Sequence, residues 1–228
     1  MRVSALMIGG PAAMLLSVAL WGGWWQGNPA GSPEQPKGLA PRASAADYQA
    51  QGKAGAVTIA AEFTGHALPT REGPLDTEEY VGVETALYGS DGARLQITAT
   101  DFTLRVNGKK QALASQPFGL LTASLKDPEW VSPDAVSAPK SKSSIGGSGG
   151  GGGGGQADSG PPPPVKIPFA VQRAWGQRLQ KAALPEGDRT LPQAGLLFFA
   201  YRGKIKSLQS LELVYGGPAG TATLKLQP

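Results

Sequence analysis

The 228-residue chain contains no cysteine and only one histidine. Without thiols there is no disulfide, no thiolate metal site, no cysteine nucleophile and no lipidated cysteine of the bacterial lipoprotein kind. Stability must come from packing. The one histidine, His66, follows Gly65 in a loop-like stretch and lacks a nucleophile motif around it, which is poor material for a Ser-His-Asp triad. It reads as a solvated surface residue. Zinc is disfavoured for the same reason, since carboxylates would have to supply most of the ligands. Charge is also sparse, at 17% of residues and a net +4, and the lysines and arginines are scattered along the sequence. That pattern gives a nucleic-acid partner little footprint, and none is expected. The acidic group Asp76, Glu78 and Glu79 lacks the spaced Asp/Asn-and-glycine loop of a calcium site. The glycine run Gly149 to Gly155 has no Gly-Lys-Ser/Thr after it, so it reads as a spacer and not as a phosphate cradle. No cofactor and no metal is expected.

One stretch of membrane-spanning length is present. Between Arg2 and Glu34 every residue is uncharged, and Val3 to Trp25 holds Leu15, Leu16, Val18 and Leu20 ahead of the cluster Trp21, Trp24 and Trp25. A spanning helix needs about 20 apolar residues, and tryptophan favours the membrane–water boundary. Residues 1–26 are therefore expected to be an N-terminal membrane anchor, with Arg2 keeping its start cytoplasmic. A cleaved secretory signal is the competing reading, because Ala43-Ser44-Ala45 has the small-residue spacing a signal peptidase accepts. Either reading exports the rest of the chain to the periplasm or the extracellular side. Residues 27–54, rich in Pro, Gly, Ala and Ser, are expected to form a flexible tether.

Residues 55–228 carry the pattern of short strands. Val57, Ile59, Ala61 and Phe63 alternate with small or polar neighbours, as do Val81, Val83 and Leu87 in the stretch Tyr80 to Tyr88. Leu95 and Ile97 lead into Phe102, Leu104 and Val106, with a change of phase near Thr100-Asp101 that predicts a bulge or bend. Asn107-Gly108 predicts a tight turn, and Ala112-Leu113 a short return strand. Near the C-terminus, Gly195 to Tyr201 is apolar on both faces, as suits a strand covered on both sides. Two alternating runs follow, with Leu211, Leu213 and Tyr215 on one face of the first and Ala222, Leu224 and Leu226 on one face of the second. The stretch from about 132 to 164 interrupts the domain with repeated X-Pro pairs, the glycine run and Pro161 to Pro164, and is expected to be a disordered insertion.

One helix is predicted, over Phe169 to Leu184, with Val171, Ala174, Trp175, Leu179 and Ala182 at helical spacing and Pro185 as its stop. Gly176 weakens its middle. Trp130 and Trp175 are the large aromatics beyond the N-terminal span. Such residues are enriched at interface hot spots and also serve in cores. Arg173, Arg178 and Lys181 lie on the polar side of the helical pattern, where they face either solvent or an anionic partner. Trp130, Trp175, Arg173 and Arg178 are accordingly the candidate partner contacts.

The order of Tyr80-Val81-Gly82-Val83-Glu84, Asp101-Phe102-Thr103-Leu104 with its Asn-Gly turn, Leu184-Pro185-Glu186-Gly187, Gly195-Leu196-Leu197-Phe198-Phe199 and Leu211-Glu212-Leu213-Val214-Tyr215 resembles telokin-like, immunoglobulin-like domains of bacterial envelope proteins. The likeness covers roughly residues 55 to 226, and the lipobox cysteine that often precedes such domains is absent. The resemblance implies a mainly β fold, an immunoglobulin-like antiparallel β-sandwich, with no catalytic residues to carry over. The expected protein is a non-catalytic, single-pass protein of the cytoplasmic membrane whose outer domain meets an envelope protein partner. An extracytoplasmic hydrolase or ligand-processing enzyme is the alternative, and it would require convergent titratable groups in a pocket.

Overall fold

The structure is a computed structural model that describes residues 38–132 and 167–228. The expected membrane anchor, the first part of the expected tether and residues 133–164 of the expected insertion lie outside the described residues. Among those described, no helix is long and apolar enough to cross a membrane.

Among the described residues thirteen strands and one α-helix follow in order: β1 (Ala50–Ala54), β2 (Val57–Gly65), β3 (Ala67–Leu68), β4 (Leu75–Thr77), β5 (Tyr80–Tyr88), β6 (Arg94–Ile97), β7 (Phe102–Val106), β8 (Leu113–Gln116), β9 (Leu125–Lys126), α1 (Phe169–Ala182), β10 (Gly187–Thr190), β11 (Gln193–Ala200), β12 (Leu211–Gly217) and β13 (Gly220–Leu226). Eight of the strands form one antiparallel sheet in the order β1-β2-β5-β11-β8-β7-β12-β13. The sheet folds over on itself at β8. Its first half, Leu113 and Ala114, pairs with Leu104 and Thr103 of β7, and its second half, Ser115 and Gln116, pairs with Phe199 and Phe198 of β11. One four-residue strand thus serves two layers, and the result is a sandwich-like β fold.

The alternating residues read from the sequence meet between the layers. Ile59, Val83, Leu197 and Phe199 come from one side, and Phe102, Leu104, Leu213, Tyr215 and Leu224 from the other, all within 2% of full burial. Period-two alternation sends every second side chain inward, and the polar neighbours Glu212 and Lys225 pair across β12 and β13 on the outer surface. The phase change near Thr100 is a single 3-10 turn at Ala99–Asp101 between β6 and β7.

Strand β11 is buried on both faces, as its composition predicts. Leu196 and Phe198 point away from the sandwich core into a second apolar cluster with Trp175, Leu179 and Ala182 of α1 and Leu68, Leu75, Leu121 and Leu125. Leu68, Leu75 and Leu125 of that cluster stand on a small sheet, β3-β4-β9, of two- and three-residue strands. The far edge of β11 is closed piecewise. Leu39 bridges Ala194, Ala183 bridges Leu196, and β8 takes over at Phe198. This protects an apolar strand from pairing with another chain. It also corrects the expected end of the helix: α1 stops at Ala182, three residues before Pro185, because Leu184 N–H donates to Leu196 O at 3.0 Å. The approach is so close that a Cβ at Gly195 would collide with the Leu184 backbone.

The expected tether over residues 27–54 requires a larger correction. From Gly38 onward the chain belongs to the folded unit, with a 3-10 turn at Ala45–Asp47 capped by Ser44, followed by strand β1. Tyr48 packs on Ala60, Ala86 and Ala194, three small residues on the outer face of β2, β5 and β11. Arg42 adds ion pairs to Glu62 (2.5 Å) and Glu84 (3.3 Å) and places its guanidinium 4.3 Å from the centre of the Tyr48 ring. Composition misleads here because the partners that hold this segment down are distant in sequence.

Candidate interaction site

Helix α1 presents two faces with different uses. On the inner face Trp175 is 4% exposed and meets the half-buried Trp130 edge to face, with ring centroids 5.9 Å apart. This is the geometry that aromatic pairs prefer, and it uses both indoles for packing. Trp130 is presented by a turn in which its own N–H donates to Asp127 O at 3.1 Å and Glu129 N–H donates to the Asp127 carboxylate at 3.0 Å.

Arg178 belongs to the same assembly and is not free for a partner, which corrects its expected place on the polar face. Its Nη1 lies 2.5 Å from Asp127 Oδ2, and both side chains are only 13% exposed. Its Nη2 donates to the carbonyls of Glu72 and Gly73, each at 3.1 Å. One guanidinium therefore ties the helix to the loop before β4 and to the Trp130 turn. The five fixed donors of arginine suit such a junction.

The outer face of α1 is open. Phe169, Arg173, Gly176 and Gln180 face Phe118 and Thr122 across a groove of about 450 Å³. Gly176 has a packing reason to stand in mid-helix, since a Cβ there would press on Thr122 Cγ2 at 3.0 Å. Arg173 is exposed and, among the described residues, makes no ion pair. A second cleft of about 440 Å³ shares Phe118 and Gln180 and extends past Gln116, Pro185 and Glu186 to Leu197. The large apolar side chains most open to solvent among the described residues are Leu120 at 56%, Val131 at 61% and Phe169 at 78% exposure, and of these Phe169 lines the groove. Leu120 closes the 3-10 turn that begins at Phe118, and Phe169 opens the helix.

The polar groups of the second cleft are engaged locally. Glu186 accepts Ala99 N–H at 2.8 Å, Arg189 Nε donates to Glu186 O at 2.9 Å, and Ser115 Oγ donates to Ala99 O at 2.5 Å. None of these contacts couples a nucleophile to a base.

His66 lies elsewhere, and its expected solvated state is also corrected. It is half-buried, with Nδ1 2.7 Å from Tyr80 O, Nε2 3.1 Å from Gly203 O and its ring stacked on Tyr201 at 6.4 Å. The imidazole joins the β2–β3 corner to the chain leaving β11. The acidic group is likewise dispersed into pairs, Glu78 with Lys126 at 2.7 Å and Glu79 with Arg202 at 3.1 Å. Among the described residues no three His, Asp or Glu side chains gather as a metal site.

No protein-family model, curated protein or solved structure matches the chain.

Proposed function

We propose that the chain is a non-catalytic envelope protein, anchored in the cytoplasmic membrane by its N-terminal span, whose β domain is immunoglobulin-like in the telokin-like sense and binds an envelope protein outside the cytoplasm. The observation that carries the reading is Phe169, 78% exposed at the mouth of the groove along α1, a groove to which the 3-10 turn bearing the exposed Leu120 contributes Phe118. Exposed apolar side chains gathered at one place mark interaction surfaces, whereas single ones need no explanation. The groove has a suitable form for this use, with an aromatic wall of Phe118 and Phe169 and a polar rim of Arg173 and Gln180. Of the four sequence candidates, Arg173 remains as a contact, while Trp130, Trp175 and Arg178 support the surface from beneath.

A photo-crosslinking amino acid placed at Phe169 or at Gln177 tests the proposal in native membranes. One protein adduct of defined mass at both positions, absent with the crosslinker at Lys225, is the expected result. Crosslinks equal at all three positions, or a hydrolytic turnover abolished by Ser115→Ala, would overturn it.

A further inference from the structure

Two loops of the sandwich contain basic residues and no acidic ones. The turn after β7 reads Asn107-Gly108-Lys109-Lys110-Gln111, and the connection from β11 to β12 reads Arg202-Gly203-Lys204-Ile205-Lys206-Ser207. In sequence they are far apart, which is why the lysines look scattered. In the fold they are one structure, because Asn107 joins them. Asn107 N–H donates to Ser210 O at 2.8 Å, its Nδ2 donates to Ser207 O at 3.1 Å, and its Oδ1 accepts Gln209 N–H at 2.7 Å. Asn107 and Gly108 hold φ of 51° and 64°, the consecutive left-handed pair of a tight turn that Asn-Gly tolerates best. Lys109 N–H closes that turn on Val106 O at 3.0 Å.

Lys109, Lys110, Arg202, Lys204 and Lys206 are all exposed at this end. Arg202 is neutralised by Glu79, and among the described residues the four lysines have no carboxylate partner. The loops account for the sign of the whole chain. Apart from these five residues, the sequence holds 16 basic against 17 acidic side chains.

We propose that this end of the sandwich is a docking surface for the acidic face of a partner polypeptide. Unpaired positive charge on a hydrogen-bonded loop pair is complementary to carboxylates held on a folded or extended chain, and it raises the encounter rate as well as selectivity. Lysine dominates over arginine, which suits dispersed point contacts to carboxylates more than planar, bidentate recognition of phosphate. A bilayer is disfavoured as the occupant because Leu120, Val131 and Phe169, the exposed large apolar side chains among the described residues, all lie outside these loops. The surface is distinct from the groove along α1, and this inference stands whether or not the groove binds a protein.

The test uses the full chain in nonionic detergent and fluorescein-labelled poly-L-glutamate as the probe. Binding should be saturable and should weaken steeply between about 0.05 M and 0.5 M salt, as expected for exposed charges within a Debye length. The reversals Lys109→Glu with Lys110→Glu, and Lys204→Glu with Lys206→Glu, should each weaken it by about tenfold, while Lys53→Glu and Lys225→Glu, on exposed lysines of β1 and β13, should not. Unchanged thermal melting of the reversal variants keeps the comparison valid. Equal losses from the control substitutions would overturn the site. Preferential lysine-dependent binding of inorganic polyphosphate, or displacement of the probe by phosphatidylglycerol doped into the same micelles at lower charge concentration, would overturn the acidic polypeptide as its partner.

Discussion

Glu62 and Glu84 stand directly opposite each other on β2 and β5, and Arg42 reaches both. Like charges facing each other across an antiparallel pair destabilise it, so the sheet carries a repulsion that a residue from another segment neutralises. The N-terminal segment is thereby fixed to the outer face of the sheet, where Tyr48 covers the small residues Ala60, Ala86 and Ala194.

Arg42→Ala should release that segment. The side chains are part-exposed, at 32% for Arg42, 38% for Glu62 and 13% for Glu84, so a cost of about 1–3 kcal/mol is expected, less than for a fully buried pair. Adding Glu84→Gln should return part of the loss by removing one of the facing charges. Denaturant melts of the four combinations measure the coupling, and proteolysis near Ala45 should accelerate in both variants that lack Arg42 and not in Glu84→Gln.

Leu213 and Leu224 are paired across β12 and β13 at 0% and 1% exposure, with Glu212 and Lys225 as their outward neighbours. Truncating either leucine to alanine should cost roughly 2–5 kcal/mol. Glu212→Ala removes one surface pair with Arg105 at 2.9 Å and should cost less than about 1 kcal/mol, and Lys225→Ala less than about 0.5 kcal/mol. Equal losses within each neighbouring pair would contradict the inward and outward assignment.

On α1, Arg173→Ala and Arg178→Ala should behave differently although the residues are one turn or so apart. Arg178 truncation leaves the Asp127 carboxylate nearly buried and unpaired, which should cost about 3 kcal/mol or more. Arg173 is exposed, and its loss should change stability by less than about 0.5 kcal/mol. Thermal melts of the two variants decide between this placement and two equivalent surface arginines.

Alkaline stability should depend on two buried tyrosines, Tyr48 and Tyr215, and the half-buried Tyr88. Burial pushes the Tyr48, Tyr88 and Tyr215 hydroxyls above the ordinary tyrosine value. A proton held more tightly in the folded state contributes stability that is complete below the unfolded value of about 10 and is lost as the pH rises above it. Tyr88→Phe also removes the hydrogen bond that Tyr88 Oη donates to Arg42 O at 2.9 Å, so it should be less stable than the parent at neutral pH. Above about pH 10 the gap should narrow, because the variant has one fewer partly buried phenol to ionise. Melting temperature against pH for the two proteins provides the check.

The strands of the sandwich were legible in the sequence because a half-buried strand carries its own period. Val57 to Phe63, Phe102 to Val106, Leu211 to Tyr215 and Ala222 to Leu226 each alternate, and each buries the residues its alternation selects, with Phe63 at the end of its strand only partly covered. The double apolar character of Leu196 to Phe199 likewise announced a strand covered on both faces. Strands β3, β4 and β9 leave no mark in the sequence because two or three residues are too few to show a period. Tertiary structure alone decided the rest, since it depends on which distant groups meet. Ordinary tether composition from Gly38 to Ala54 becomes part of the fold through Glu62, Glu84 and three alanines elsewhere in the chain. Arg178 is withdrawn from solvent because Asp127 and two carbonyls converge on it, whereas Arg173, on the other face of the same helix, stays exposed. The basic loops acquire a shared surface because Asn107 bonds to backbone 100 residues further along. Local pattern fixes which way a side chain points along its own strand or helix. Only the closed fold sets what stands opposite it.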